Sequence, residues 1–194
     1  KTDRSEQLLS SILKNSKDRN ALATSTFELA KIAFDKKEYL RAAKLFRTIV
    51  DRFSENKISK LAVYWAAEAN YLIEKLDVAG QQFEAIAVDA RLGQHKKSHQ
   101  ILMRRAQVAA KQKNWSAAIE LATELLDFDP NWKEIHEAHY VLGRSYAGLG
   151  QFTKSRTAFQ NVLDSEPATG TETAAMAQWM IGESHFHQDA YEEA

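Results

Sequence analysis

Residues 136–169, HEAHYVLGRSYAGLGQFTKSRTAFQNVLDSEPAT, form the stretch whose reading decides the fold. Gly143 follows Leu142 at the eighth position of these 34 residues, Tyr146 stands at the eleventh, Phe159 at the twenty-fourth and Pro167 at the thirty-second. A glycine inside a helical pattern costs stability unless close packing needs it. A second small residue, Ser155, stands at the twentieth position, so two helices that cross at these points can approach to the short end of the usual interaxial range. Proline just past a helix end stops the helix without removing a hydrogen bond that it needs.

The register recurs along the chain. Copies start at Ala23, Lys60, His99 and Ala175 as well as at His136, with offsets alternating between 37 and 39 residues. The eighth position holds Ala30, Ala67, Ala106, Gly143 and Gly182, and the twentieth holds Ala42, Ala79, Ala118, Ser155 and Ala194. Four residues after the twentieth come Phe46, Phe83, Ala122 and Phe159, and three further on Ile49, Ile86, Leu125 and Val162. Spacings of i, i+4 and i+7 lay an apolar stripe along one helix face. Just before each second helix stands Lys37-Glu38-Tyr39, Lys113-Asn114-Trp115, Gly150-Gln151-Phe152 or Asp189-Ala190-Tyr191, each ending in an aromatic able to wedge between hairpins. Both prolines, Pro130 and Pro167, fall at the thirty-second position. The residues in excess of 34 fall in loops between copies, as at Gln94 to Ser98 and Gly170 to Ala174, where insertions are best tolerated. Strict strand-like alternation is absent.

This pattern resembles the tetratricopeptide repeat family, most closely at His136 to Thr169 and His99 to Trp132. Departures from the family pattern are His139 at its usual tryptophan, Ala33, Asn70 and Ala109 opposite Tyr146, and Arg105 at a usually buried leucine. The resemblance implies an all-α fold, a right-handed α-α superhelix of about five helical hairpins. It divides residues 1–194, as a single array, into the second helix of a preceding copy (1–22), copies at 23–59, 60–98, 99–135 and 136–174, and a truncated copy at 175–194. Leu8-Leu9 and Ile12-Leu13 fit that leading second helix. With both ends inside a repeat, the chain reads as a piece of a longer protein, and its uncapped ends allow self-association. The 37 to 39 spacing resembles the loosely spaced arrays of bacterial cell-envelope and assembly proteins, which leans localisation toward the envelope or periplasm over the cytoplasm.

Composition narrows the function classes. Charged residues make up 27% and hydrophobic ones 44%, the balance of a folded chain and not of a disordered or membrane-spanning one. Even the apolar run Leu61 to Ile73 carries Glu68 and Asn70, so direct membrane insertion is not expected. The sequence has no cysteine, which rules out disulfides, thiolate metal sites and cysteine nucleophiles. Net charge is zero, so no overall field draws nucleic acid. The charge is nonetheless uneven: residues 1–60 carry 14 Lys/Arg against 8 Asp/Glu, and the remainder 12 against 18.

In the family, the first helices line a groove at their second, fifth, ninth, twelfth and thirteenth positions, and the resemblance carries that groove onto this chain. The fifth and ninth positions are Phe27 and Lys31, Tyr64 and Glu68, Met103 and Gln107, Tyr140 and Arg144, and Trp179 and Glu183. The twelfth and thirteenth add Phe34, Tyr71, Phe186 and Lys111. Aromatics with isolated charges suit an extended or helical peptide, the rings giving contact area and the charges fixing register. The competing reading buries some of these rings against the next hairpin. The Lys/Asn/Arg clamp by which some family members hold a C-terminal carboxylate has no matching set here, which disfavours chaperone C-termini as partners.

Other clusters carry less. Arg91, Lys96, Lys97, Arg104, Arg105, Lys111 and Lys113 form a basic run that lacks the interleaved aromatics of a nucleic-acid platform, so a solvated face is expected. The histidine pairs His95/His99, His136/His139 and His185/His187 offer no third ligand in sequence, and no metal or cofactor is expected. His136-Glu137-Ala138-His139 is one residue short of the zinc-protease spacing. Gly182-Glu183-Ser184-His185-Phe186 resembles the stretch around the acid of lytic transglycosylases. The repeat register already accounts for it, with Gly182 as the eighth-position glycine, and no catalytic residue is assigned. The expected function is a non-catalytic scaffold that binds a protein or peptide; the alternative is a positioning segment of a larger enzyme or envelope assembly.

Overall fold

A computed structural model describes residues 2–88 and 98–188. Among them are ten α-helices, one short 3-10 turn and no strand, the all-α architecture that the repeat implies. The helices fall into two compact units. The first unit holds α1 (Thr2–Asn15), α2 (Arg19–Asp35), α3 (Tyr39–Arg52), α4 (Lys57–Leu72) and α5 (Leu76–Val88). The second holds α6 (Ser98–Lys111), α7 (Trp115–Phe128), α8 (Ile135–Gly148), α9 (Phe152–Leu163) and α10 (Glu172–Phe186). His95, the basic residues Arg91, Lys96 and Lys97, the Asp189-Ala190-Tyr191 tip and Ala194 lie outside the described residues.

Local chemistry sets where the helices start. Side-chain oxygens of Asp18, Asn56, Asn114 and Thr171 accept hydrogen bonds from the backbone N–H groups of Asn20, Ile58, Ala117 and Ala174, capping α2, α4, α7 and α10. Each cap satisfies a donor that the first turn would leave bare.

The turns inside the hairpins share one construction. At the fifteenth position of four successive copies the backbone adopts positive φ: Lys37 at 61°, Glu74 at 58°, Lys113 at 60° and Gly150 at 70°. The next residue then donates its N–H to the carbonyl five residues back: Glu38 to Ala33, Lys75 to Asn70, Asn114 to Ala109 and Gln151 to Tyr146, each at 2.8–2.9 Å. A left-handed residue with this backward bond ends a helix and satisfies its orphan carbonyls.

Between the helices of each hairpin the small pairs meet as their spacing predicts. Ala30 and Ala42, Ala67 and Ala79, and Ala106 and Ala118 have no exposed surface, and Gly143 and Ser155 are buried at the equivalent crossing. Ser155 Oγ donates 2.9 Å to the carbonyl of Gly143, pinning α9 to α8. Behind the crossing, Phe46, Phe83 and Phe159, with Ile49, Leu125 and Val162, are fully enclosed. Burying each such side chain contributes roughly 1.5–3 kcal/mol.

Successive first helices pack directly on one another, α2 on α4 in the first unit and α6 on α8 and α8 on α10 in the second. The paired second helices, α3 with α5 and α7 with α9, barely meet. Each unit therefore curves so that its first helices line the inner side. A hydrogen bond ties neighbouring first helices near their starts in both units: Asn56 Nδ2 to Asn20 Oδ1 at 2.9 Å, and Thr173 Oγ1 to Glu137 Oε1 at 2.7 Å. Trp115, at the start of α7, reaches the end of α8, where its ring covers Gly148 closely enough that a Cβ there would sit 2.4 Å away. That is the wedge between hairpins expected of a tip aromatic.

Candidate interaction surface

Of the rings assigned to the groove at the fifth position, those on α2, α4 and α8 face the core. Phe27 packs edge-on against Phe46 with centroids 5.4 Å apart and Tyr64 edge-on against Phe83 at 6.3 Å, and Tyr140 is tilted against Phe159 at 5.7 Å. The partner is the twenty-fourth residue of the same copy each time. Phe27, Tyr64 and Met103 are consequently buried, at 6, 5 and 4% exposure, and this corrects their expected place as accessible groove lining. The reason is geometric: a fifth-position ring is drawn down onto the phenylalanine that the second helix presents opposite it, and Met103 fills the same place in a cluster with Ala122.

Glu68 is buried as well, at 5% exposure, and Tyr71 is half-buried. Lys31 is committed within the protein. Its Nζ sits 3.5 Å above the Trp65 ring and 5.5 Å from Phe34, with Asp35 at 3.8 Å. Phe34 is itself held between Tyr39 and Trp65, with centroids at 5.2 and 5.0 Å. Trp65 was not among the residues drawn from the sequence, although its place one residue after Tyr64 turns it toward α2, where the ninth-position lysine lies.

The exposed members belong to the second unit. On α6, Gln107 is half-buried and accepts a 2.6 Å hydrogen bond from Arg104, and Lys111 is exposed. On α8, Arg144 is exposed and Tyr140 half-buried. Burial pushes the Tyr140 phenol above its ordinary value, with Glu137 and Glu172 adding to the rise and the Arg144 charge opposing it. On α10, Trp179 is 57% and Phe186 56% exposed, while Glu183 lies 3.8 Å from His187. Met176, 39% exposed on the same helix, is an addition that the family positions did not mark.

The remaining clusters serve the fold. His99 Nε2 lies 3.0 Å from Asp129 Oδ2, and the ring stacks on Trp132 at 5.7 Å, fastening the start of α6 to the α7–α8 connection. His136 is buried, with Nε2 3.6 Å from Glu137. Among the described residues no group of three or more His, Cys, Asp or Glu is gathered to hold a metal ion. Ser184 is buried and donates to the Ile181 carbonyl at 2.8 Å, so the Gly182-Glu183-Ser184 run is ordinary helix interior. Among the described residues no helix is long and apolar enough to cross a membrane.

The profile of the family described as Tetratricopeptide repeat matches residues 27–93 and 140–194. The chain belongs to the tetratricopeptide repeat family. Solved tetratricopeptide-type structures superpose on it. MamA residues 41 to the end, from Desulfovibrio magneticus RS-1, gives a TM-score of 0.71 at 16% identity, covering 91% of this chain and 90% of that one. BtubC from P. vanneervenii gives 0.72 at 14% identity, covering 100% and 84%. YrrB, described as a TPR protein with an unusual peptide-binding site, gives 0.64 at 18% identity, covering 97% and 87%. At these identities the likeness shows the fold. Comparison with curated protein sequences finds no match. Tetratricopeptide repeat proteins are interaction scaffolds, in general without catalysis, that bind protein or peptide partners.

Proposed function

We propose that this tetratricopeptide chain is a scaffold without chemistry of its own, binding a peptide or protein segment across the first helices of its second unit. The observation that carries the reading is Trp179, a large ring 57% exposed on α10. Glu183 follows one turn later and Phe186 two turns later on the same helix, and α8 beside it exposes Arg144. Arg144 makes no ion pair or hydrogen bond among the described residues, so its guanidinium is available to a partner carboxylate or carbonyl. Tryptophan and arginine are the residue types that most often dominate binding energy, the ring through area and the fork through bidentate hydrogen bonds. The peptide-binding site named for YrrB, a protein of the same fold, supports this choice over a purely architectural role.

Selection from a random peptide display library against the 194-residue chain tests it. Selected peptides are expected to lose tenfold or more of their affinity on Trp179→Ala and several-fold on Arg144→Ala, both variants keeping the native melting profile. Peptides that bind both variants as tightly as the native chain would overturn the assignment.

A further inference from the structure

The second helices carry a feature that the first-helix surface does not use. On α7 the outward face holds Glu120, Glu124 and Asp127 at i, i+4 and i+7, and the helix has no Lys or Arg. None of the three carboxylates is in an ion pair among the described residues. The stripe ends at Phe128, 60% exposed, beside a shallow trough that Ile119 also lines. On α3 the outward face is the opposite in charge. Leu40 is 49% exposed at its head, beside a second shallow trough, with Arg41, Lys44 and Arg47 exposed behind it. Arg41 is held by Glu38 at 2.8 Å and Arg47 faces Asp51 at 3.4 Å, whereas Lys44 has no ion-pair partner among the described residues.

The two faces match in spacing as well as in sign. Starting at Leu40 and moving forward, the side chains come one and four residues later, at Arg41 and Lys44. From Phe128 moving backward, they come at the same intervals, at Asp127 and Glu124. Laid antiparallel with Lys44 opposite Glu124, the helices place Arg47 on the side of Glu120 and Arg41 on the side of Phe128. Opposite charges at the centre of the contact favour this register over its neighbours, because a shift by one residue takes Lys44 away from Glu124.

We propose that a second copy of this chain is the partner of these faces, the α3 face of one copy seating antiparallel on the α7 face of another. The contact is heterologous: each copy presents one basic and one acidic face, so association either closes as a pair through two such contacts or continues copy to copy. Because its charges are exposed, the contact is weak and salt-sensitive.

Sedimentation of the 194-residue chain over a wide concentration range, at low salt and at about 0.5 M NaCl, reads this directly. The expected result is a weight-average mass that climbs to at least twice the monomer value at low salt and returns to monomer at high salt. Lys44→Glu and Glu124→Lys should each abolish the climb, and the double variant K44E/E124K, which exchanges the charges within every copy, should restore it. Helical content by circular dichroism accompanies each variant, both positions being exposed. A native chain that stays monomeric throughout would overturn the proposal. So would single variants that associate like the native chain, a double variant as dissociated as the singles, or an α7 face that binds a lysine-rich amphipathic peptide while the chain itself stays monomeric.

Discussion

Phe159 closes over Gly143 so tightly that a Cβ built on the glycine would lie 2.6 Å from the ring. The ring cannot retreat, because Tyr140 packs on it from α8 and Val162 and Ala177 enclose it. Gly143→Ala should therefore destabilise the second unit even though alanine is the better helix former. Displaced packing costs roughly 1–3 kcal/mol, and helix propensity returns about 1 kcal/mol. A net loss of about 1 kcal/mol is expected in urea denaturation. A Gly143→Ala chain as stable as the native one would show that the hairpin opens here without strain.

The shared turn at the fifteenth position makes a second prediction with the opposite sign. Lys37 and Lys113 hold positive φ with a Cβ present, a conformation that costs a non-glycine residue roughly 1–2 kcal/mol. Lys37→Gly and Lys113→Gly should each raise stability by about 0.5 kcal/mol after the extra entropy of an unfolded glycine is counted. Gly150 has open space around its missing Cβ, so Gly150→Ala tests the backbone alone and should lower stability by about 1 kcal/mol. Denaturation midpoints of the three variants check the sign at each turn.

The scaffold was legible in the sequence because its determinants are short-range and repeated. Ala30, Ala42, Ala67 and Ala79 announce helix crossings by size and spacing alone, and the structure gives each of them no exposed surface. The surface was harder to read. Family positions say which way a Cβ points and not how far a ring travels from it. Phe27 and Tyr64 share a register position with Trp179, yet the first two lie on Phe46 and Phe83 while Trp179 stays exposed. Lys31 was legible as a groove charge but not as a cation resting on Trp65, since that contact joins two copies and depends on how α2 meets α4. The left-handed turns at Lys37, Glu74 and Lys113 carried no glycine to reveal them.

Stability should also depend on pH through His139. Its Nδ1 is buried with no hydrogen-bond partner, and burial, helped by the nearby His136, holds its pKa below the ordinary 6.5. The folded state thus binds this proton less readily than the unfolded state. Stability from this group is complete above about pH 6.5 and is lost as pH falls from there through the lowered folded value. Melting temperature should fall between pH 7.5 and 5.5, and His139→Gln should flatten part of that fall. An unchanged slope in the variant would assign the dependence to other histidines.

Tyr140 and Trp179 occupy the same register position and should respond differently to the same substitution. Tyr140 packs on Phe159 at 5.7 Å and is half-buried, so Tyr140→Ala removes a ring from the enclosed cluster that α8, α9 and α10 share. The expected cost is about 2–3 kcal/mol, below the range for a fully buried aromatic because part of the ring is already in water. Tyr140→Phe keeps the ring and should cost well under 1 kcal/mol. Trp179, more than half exposed, leaves no comparable cavity, and Trp179→Ala should shift stability by no more than about 0.5 kcal/mol. Affinity should order the pair the other way: a peptide selected on the native chain should lose most of its binding with Trp179→Ala and little with Tyr140→Phe. If Trp179→Ala instead unfolds the second unit, its ring belongs to the core in solution and the surface must be sought around Arg144 and Lys111.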